Sequence, residues 1–136
     1  MLRVTAGAYR FVARMEEQAA PQTCAAFKRL LRFRNRLIQA RWSGEADWIP
    51  LGDFELGVGF ENHTSFPVPG QILFYEGGYC ETDISFPYGA TRFASTLGQL
   101  AGNHFLTLVE GLEQLPDLAH LVLHRGVQHI VFKAME

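Results

Sequence analysis

Apolar and polar positions alternate over residues 9–16, with Tyr9, Phe11, Ala13 and Met15 on one side and Arg10, Val12, Arg14 and Glu16, mostly polar, on the other. A period of two marks a half-buried strand. From Pro21 the period lengthens: Cys24, Phe27, Leu30 and Leu31 recur at helical spacing, and Lys28, Arg29 and Arg32 face outward. Pro21 itself suits a first helical turn, where an N–H has no partner anyway. The spacing predicts a helix over 21–33. Residues 36–42 read as a strand that places Leu37, Gln39 and Arg41 on one face and Ile38, Ala40 and Trp42 on the other, with a turn at Ser43-Gly44.

The middle third is punctuated by glycine and proline, among them Pro50, Gly52, Gly57, Pro69, Gly70, Gly77, Pro87 and Gly89. Short strands fit between such turns, and the runs 71–75, 82–86 and 105–109 are aromatic or β-branched enough to form them. After Gly111 a leucine-rich stretch through Leu123 reads as a helix, or two short ones broken near Pro116, closed by Gly126. A last strand is expected over 127–134. Two helices among about eight short strands predict a mainly β fold, a closed antiparallel barrel capped by helices. The 136 residues suit a single domain spanning 1–136.

Composition changes this picture little. With 48% hydrophobic residues and eleven Phe, the chain can build a core. A net charge of −2 argues against a nucleic-acid partner. No run is long and apolar enough for a membrane span, so no membrane partner is expected and the protein is read as soluble and cytoplasmic. Cys24 and Cys80 are far apart and form no Cys-x-x-Cys, which fits a reduced pair. Charge distribution is more unusual. Residues 1–41 hold nine of the twelve Lys and Arg, whereas residues 42–90 hold eight acids and neither Lys nor Arg. The acids are expected to find cations from elsewhere, inside one barrel or across a subunit boundary.

Pro21, Thr23 and Phe27, following a strand and opening a helix, resemble the start of cyclophilins, whose first helix begins Pro-x-Thr with a Phe four residues after the Thr. Leu108-Val109-Glu110-Gly111-Leu112 is similar to the cyclophilin strand ending in Val-x-Glu-Gly-Met. More closely, the chain resembles an uncharacterised bacterial family of small cyclophilin-like proteins. That likeness runs through Trp42-Ser43-Gly44-Glu45, Glu61-Asn62, Pro69-Gly70, Tyr88-Gly89 and Gly98-Gln99-Leu100-Ala101-Gly102-Asn103-His104. The resemblance implies a cyclophilin-like barrel, and peptidyl-prolyl cis-trans isomerase as one activity. Arg41 stands where the catalytic arginine of cyclophilins would lie. The glutamine-glycine-glycine-aspartate segment that follows in cyclophilins is replaced here by Trp42 to Asp47, and the groove tryptophan has no counterpart.

Three constellations could carry chemistry. Arg41 can pair with a carboxylate as a structural partner or anchor an anionic or carbonyl group of a ligand by its planar fork. Glu45, Glu61, Glu81 and Asp83 form an acidic set; Glu81 and Asp83, two apart, share a strand face and repel unless a cation or proton lies between them. Such a face is solvated, or looks into a cleft where acid–base work is feasible. Gly102-Asn103-His104 supplies turn chemistry or a polar wall. His120 and His124 are four apart, but no third ligand is close in sequence, so no metal is expected, and no cofactor motif occurs. The resulting expectation is a small-molecule site in one cleft lined by Arg41, Trp42, Glu45, Glu61, Asn62, Tyr88, Asn103 and His104, with Arg41 and Glu61 as the best catalytic candidates. It would serve an enzyme or an accessory subunit. Alternatives are the isomerase, or a non-catalytic homo-oligomer whose Phe-rich exterior mates with itself; homo-oligomer formation is expected on either view.

Overall fold

The computed structural model describes residues 1–78 and 80–135. Its elements are β1 (Leu2–Ala6), β2 (Tyr9–Met15), α1 (Pro21–Lys28), β3 (Phe33–Gln39), β4 (Gly44–Gly52), β5 (His63–Thr64), β6 (Gln71–Tyr75) and β7 (Thr82–Thr91). They continue as β8 (Ala94–Ser95), β9 (Gly98–Gln99), β10 (Gly102–Glu110), a 3-10 turn (Leu112–Gln114), α2 (Leu115–Arg125) and β11 (Gln128–Ala134). Neighbouring strands run antiparallel in the order β2, β1, β11, β3, β4, β7, β6, β10, and β10 pairs back onto β2. Eight strands thus close a barrel, and closure removes the exposed edges of an open sheet. β5 adds a short pairing at the start of β10, and β8 and β9 form a separate hairpin.

Alternation places one face of each strand in the core. Leu2, Val4 and Ala6 of β1 lie inside with Phe11 and Ala13 of β2, and Ile72, Phe74, Ile84 and Phe86 line the opposite wall. Phe27 of α1 is fully buried, with ring centroids 5.1 Å from Phe105 and 5.4 Å from Phe132, both edge-on. Lys28 and Arg32 are exposed, whereas Leu31, which the helical spacing puts on the buried face, is only half-buried because it lies beyond the end of α1. α2 packs its Leu115, Leu118 and Val122 into the same core and lies against β3, β4 and β7. Seven of the eleven Phe are buried, Phe33 and Phe54 pack partly buried against the core, and Phe60 and Phe66 are exposed.

Several boundaries differ from the sequence expectation. α1 stops at Lys28 rather than 33, because Phe33 enters β3 opposite Phe132 and packs against the core. β3 accordingly runs 33–39 and leaves Arg41 outside the strand; beyond it Gln39 Nε2 donates to the carbonyls of Ala40 and Ala46, holding the turn. β4 and the extension of β7 through Pro87 run across glycine and proline positions that read as turns. Register shifts beside Gly44 and Pro50 accommodate them. Pro116 lies in the first turn of α2 and does not break it. Among the described residues no helix is long and apolar enough to cross a membrane.

Candidate functional site

Because side chains alternate along a strand, the residues between the core positions of β4, β6 and β7 face out of the barrel. Trp48 is registered with Ser85 and with Ile38, and Leu73 with Ser85, so these four share the outer face. A second apolar cluster of Leu73, Tyr75, Phe93 and Leu100, with Cys80 against it, covers part of that face. Phe93 and Leu100 flank the β8–β9 hairpin, so the hairpin acts as a flap over the barrel wall. Between the flap, the wall and the β3–β4 turn lies a cavity of about 180 Å³. Arg41, Trp42, Trp48, Glu81, Asp83 and Ser85 border it, and both tryptophans of the chain are among them.

The turn carrying Arg41 and Trp42 is anchored on both sides. The Tyr88 hydroxyl donates to Gln39 Oε1 at 3.0 Å, the Ser43 hydroxyl donates to the Ala94 carbonyl at 3.1 Å, and the Ala90 N–H donates to Glu45 Oε1 at 2.9 Å. Gly44 adopts φ of 83°, and a Cβ there would stand 2.8 Å from the Ala90 carbonyl oxygen, so only glycine lets β4 leave the turn this close to β7. Arg41 itself is exposed and makes no ion pair or hydrogen bond among the described residues.

Asp83 is the unusual group of the cavity. It is 6% exposed and its Oδ1 is buried without a hydrogen-bond partner among the described residues. Burial, reinforced by repulsion from Glu81, holds its carboxyl well above the ordinary carboxylate range. Glu81 is exposed and accepts from the Gly52 N–H at 3.0 Å. No cation bridges this pair among the described residues, and Arg41 does not offset the burial.

The eight residues expected in one cleft fall into two groups. Arg41 and Trp42 border the cavity, with Glu45 and Tyr88 behind them as anchors of their turn. Glu61, Asn62, Asn103 and His104 meet elsewhere, where the loop after β4 crosses α1 and β10. Glu61 Oε1 accepts from the Thr23 N–H at 2.6 Å and its hydroxyl at 2.8 Å, capping α1, whose own N-cap is Ala20. Asn103 Oδ1 accepts from the Glu61 N–H at 3.0 Å, and its amide donates to Thr23 Oγ1 and to the Gly59 carbonyl. Asn62 donates to the His104 carbonyl at 2.8 Å, and the His104 ring meets Thr107 Oγ1 at 2.7 Å. Burial lowers the His104 pKa, which keeps the imidazole neutral at pH 7. Asn103 borders a different cavity, beside Gly59 and Glu76. The expected single cleft is therefore divided because Thr23 and the backbone of β10, rather than Arg41, draw in Glu61 and Asn62.

The expectation that the acidic segment finds cations is likewise corrected. Both ion pairs among the described residues, Arg14 with Glu16 and Lys28 with Glu17, lie within 1–41. Glu45, Glu61, Glu76 and Glu81 accept backbone N–H groups instead. A carboxylate needs donors, and irregular backbone between short strands supplies them. Asp47, on the inner face opposite Phe86, has 0% exposure and no hydrogen-bond partner for either oxygen among the described residues; burial pushes its pKa up to about 8. Trp48, Ser85 and Phe93 were missed as site residues, although the alternation Asp83-Ile84-Ser85-Phe86 would have paired Ser85 with Asp83. His120 and His124 stack on the exposed face of α2 with centroids 4.1 Å apart, and the described residues hold no group of three or more metal-ligating side chains.

The model of a family described as protein of unknown function (DUF3830) matches residues 2–134. No curated protein matches the chain. Among solved structures, one titled as McbB in complex with tryptophan superposes with a TM-score of 0.68 at 12% identity, covering 100% of this chain and 46% of that one. The chain spans about half the length of that structure, and at this identity the likeness is one of fold.

Proposed function

The chain belongs to the DUF3830 family, and on that premise we propose that it is a cyclophilin-like barrel that binds a small polar molecule in the outer-face cavity bordered by Arg41, Trp42 and Asp83. One observation carries this reading: Asp83, whose buried Oδ1 has no hydrogen-bond partner among the described residues, borders the same cavity as Arg41, whose guanidinium has none among them either. Leaving a buried polar atom unpaired costs about 1–3 kcal/mol, which a ligand donor recovers. At about 180 Å³ the cavity is smaller than the roughly 300–1,000 Å³ of sites for drug-sized ligands, which favours a small one. Glu45 and Tyr88 act as positioning residues for the Arg41 turn. Two free cysteines support a reducing, cytoplasmic setting.

The test uses the chain's own reporters. Both tryptophans border the cavity, so ligand titrations followed by tryptophan fluorescence and thermal shift read its occupancy. A small-metabolite library is screened on wild type, Arg41→Lys and Asp83→Asn, with tryptophan tried in the thermal-shift arm because the similar structure was solved with it. Concentration-dependent stabilisation that is weakened in the variants is expected. Equal responses in all three proteins overturn the site.

A second reading, self-association, is favoured by the exposure of Phe60 at 69% and Phe66 at 63%, on the loop between β4 and β6. Light scattering at micromolar concentration should show a dimer or larger species that Phe66→Ser shifts toward monomer; a monomeric wild type rejects it.

A further inference from the structure

We propose that the outer-face cavity selects a small organic ammonium ion, with its charged nitrogen on Asp83 and its apolar part along Trp48 and Phe93. This rests on the reading of the cavity as a ligand site and goes on to name the chemistry it takes.

Asp83 Oδ1 is buried with no hydrogen-bond donor among the described residues. An anion is disfavoured, because Glu81 borders this side of the cavity and an ionised Asp83 would join it, while the guanidinium of Arg41 is exposed. A neutral alcohol makes one hydrogen bond but brings no positive charge to Glu81 or to an ionised Asp83. A divalent cation of the calcium type wants about six to eight oxygen ligands, and no cluster of three or more suitable side chains occurs among the described residues. An ammonium group answers all of these conditions, with three N–H donors and one compact positive charge. The surrounding wall suits the rest of such a molecule, since indole faces attract cations and Phe93 and Leu100 offer apolar contact. A carboxylate on the same ligand would point toward Arg41 at the rim.

A proton balance follows. In the ligand-free protein, burial first and repulsion from Glu81 second favour the protonated form of Asp83. Binding a cation favours the ionised form, so RNH3+ and the carboxylic acid give the RNH3+ carboxylate pair with one proton released to solvent. Affinity should therefore rise with pH.

The experiment uses matched trios of amine, alcohol and carboxylate on propyl, isobutyl and benzyl frames, read by tryptophan fluorescence and by protection of Cys80, which borders the cavity, from thiol labelling. Each amine should bind at least roughly tenfold more tightly than its alcohol and carboxylate. Calorimetry in phosphate and Tris at pH 7 should report net proton release on binding the amines, lost in Asp83→Asn. If Asp83→Asn fails to fold by circular dichroism, Glu81→Lys at the exposed neighbour should abolish the amine preference. Alcohols or carboxylates that bind as well as amines, or an amine preference unchanged in Glu81→Lys, overturn the inference and leave the cavity a site. Silence from all nine compounds while library ligands without an amine bind has the same effect. Silence from the trios and the library together overturns the site reading as well.

Discussion

Asp47 and Glu61 show how burial and partners divide the work among carboxylates of one acidic segment. Asp47 is enclosed without a donor and holds its proton to about pH 8, whereas an unfolded aspartate ionises near 4. Between those values the unfolded state binds fewer protons than the native state, so stability falls as pH rises and levels off above 8. Asp83 adds a contribution of the same sign. Chemical denaturation from pH 4.5 to 8 should therefore show a loss of several kcal/mol in wild type, with a shallower slope in Asp47→Asn, which has no charge to bury. Equal slopes would show that Asp47 has another partner in solution. Glu61 has its donors on α1, and Glu61→Ala should cost about 1–2 kcal/mol in urea unfolding, the usual range for loss of a helix cap. Ligand titrations of that variant should match wild type, since Glu61 does not border the cavity of Arg41.

Among the elements, the β3–β4 turn matters most to the site, because it carries Arg41 and Trp42 and is held by Gln39, Ser43 and Glu45. Gly44→Ala forces a side chain into a left-handed conformation and against the Ala90 carbonyl. A loss of about 1–3 kcal/mol is expected, together with a shift in tryptophan emission as the turn moves. An unchanged spectrum would mean that the turn does not depend on this close approach. Phe27→Ala in α1 should cost more, about 3–5 kcal/mol, because three phenylalanine rings pack directly on it and would border the void.

For the whole molecule, barrel closure settles which faces are available. The interior is filled by side chains, so the proposed ligand site lies outside it, under the β8–β9 flap. Arg41 lies at the rim of a small cavity, on a turn rather than a strand. A proline peptide held over it needs a groove that positions both flanks. Protease-coupled assays on proline peptides should accordingly give rates at the uncatalysed level, and a cyclophilin-like rate abolished by Arg41→Ala would reverse the assignment.

The hydrophobic pattern by itself determined the class of fold. Alternation at Tyr9–Met15 and the helical spacing around Phe27 arise from local geometry that every such segment must obey to bury one face, and the apolar run Gln71–Tyr75 carries the β-branched and aromatic content of a strand buried on both faces. It could also pair Glu81 with Asp83, since two residues apart on a strand means one face. What it could not reach was which carboxylates meet Arg41. Glu61 and Asn62 lie nearer to Arg41 in sequence than Asp83 does, yet the strand order β4-β7-β6-β10 carries Glu61 to Thr23 and Asn62 to the His104 carbonyl and brings Asp83 beside Trp48 and the Arg41 turn. Strand order is decided by how whole faces pack and close. A buried oxygen without a partner exists only once that closure has excluded water from it.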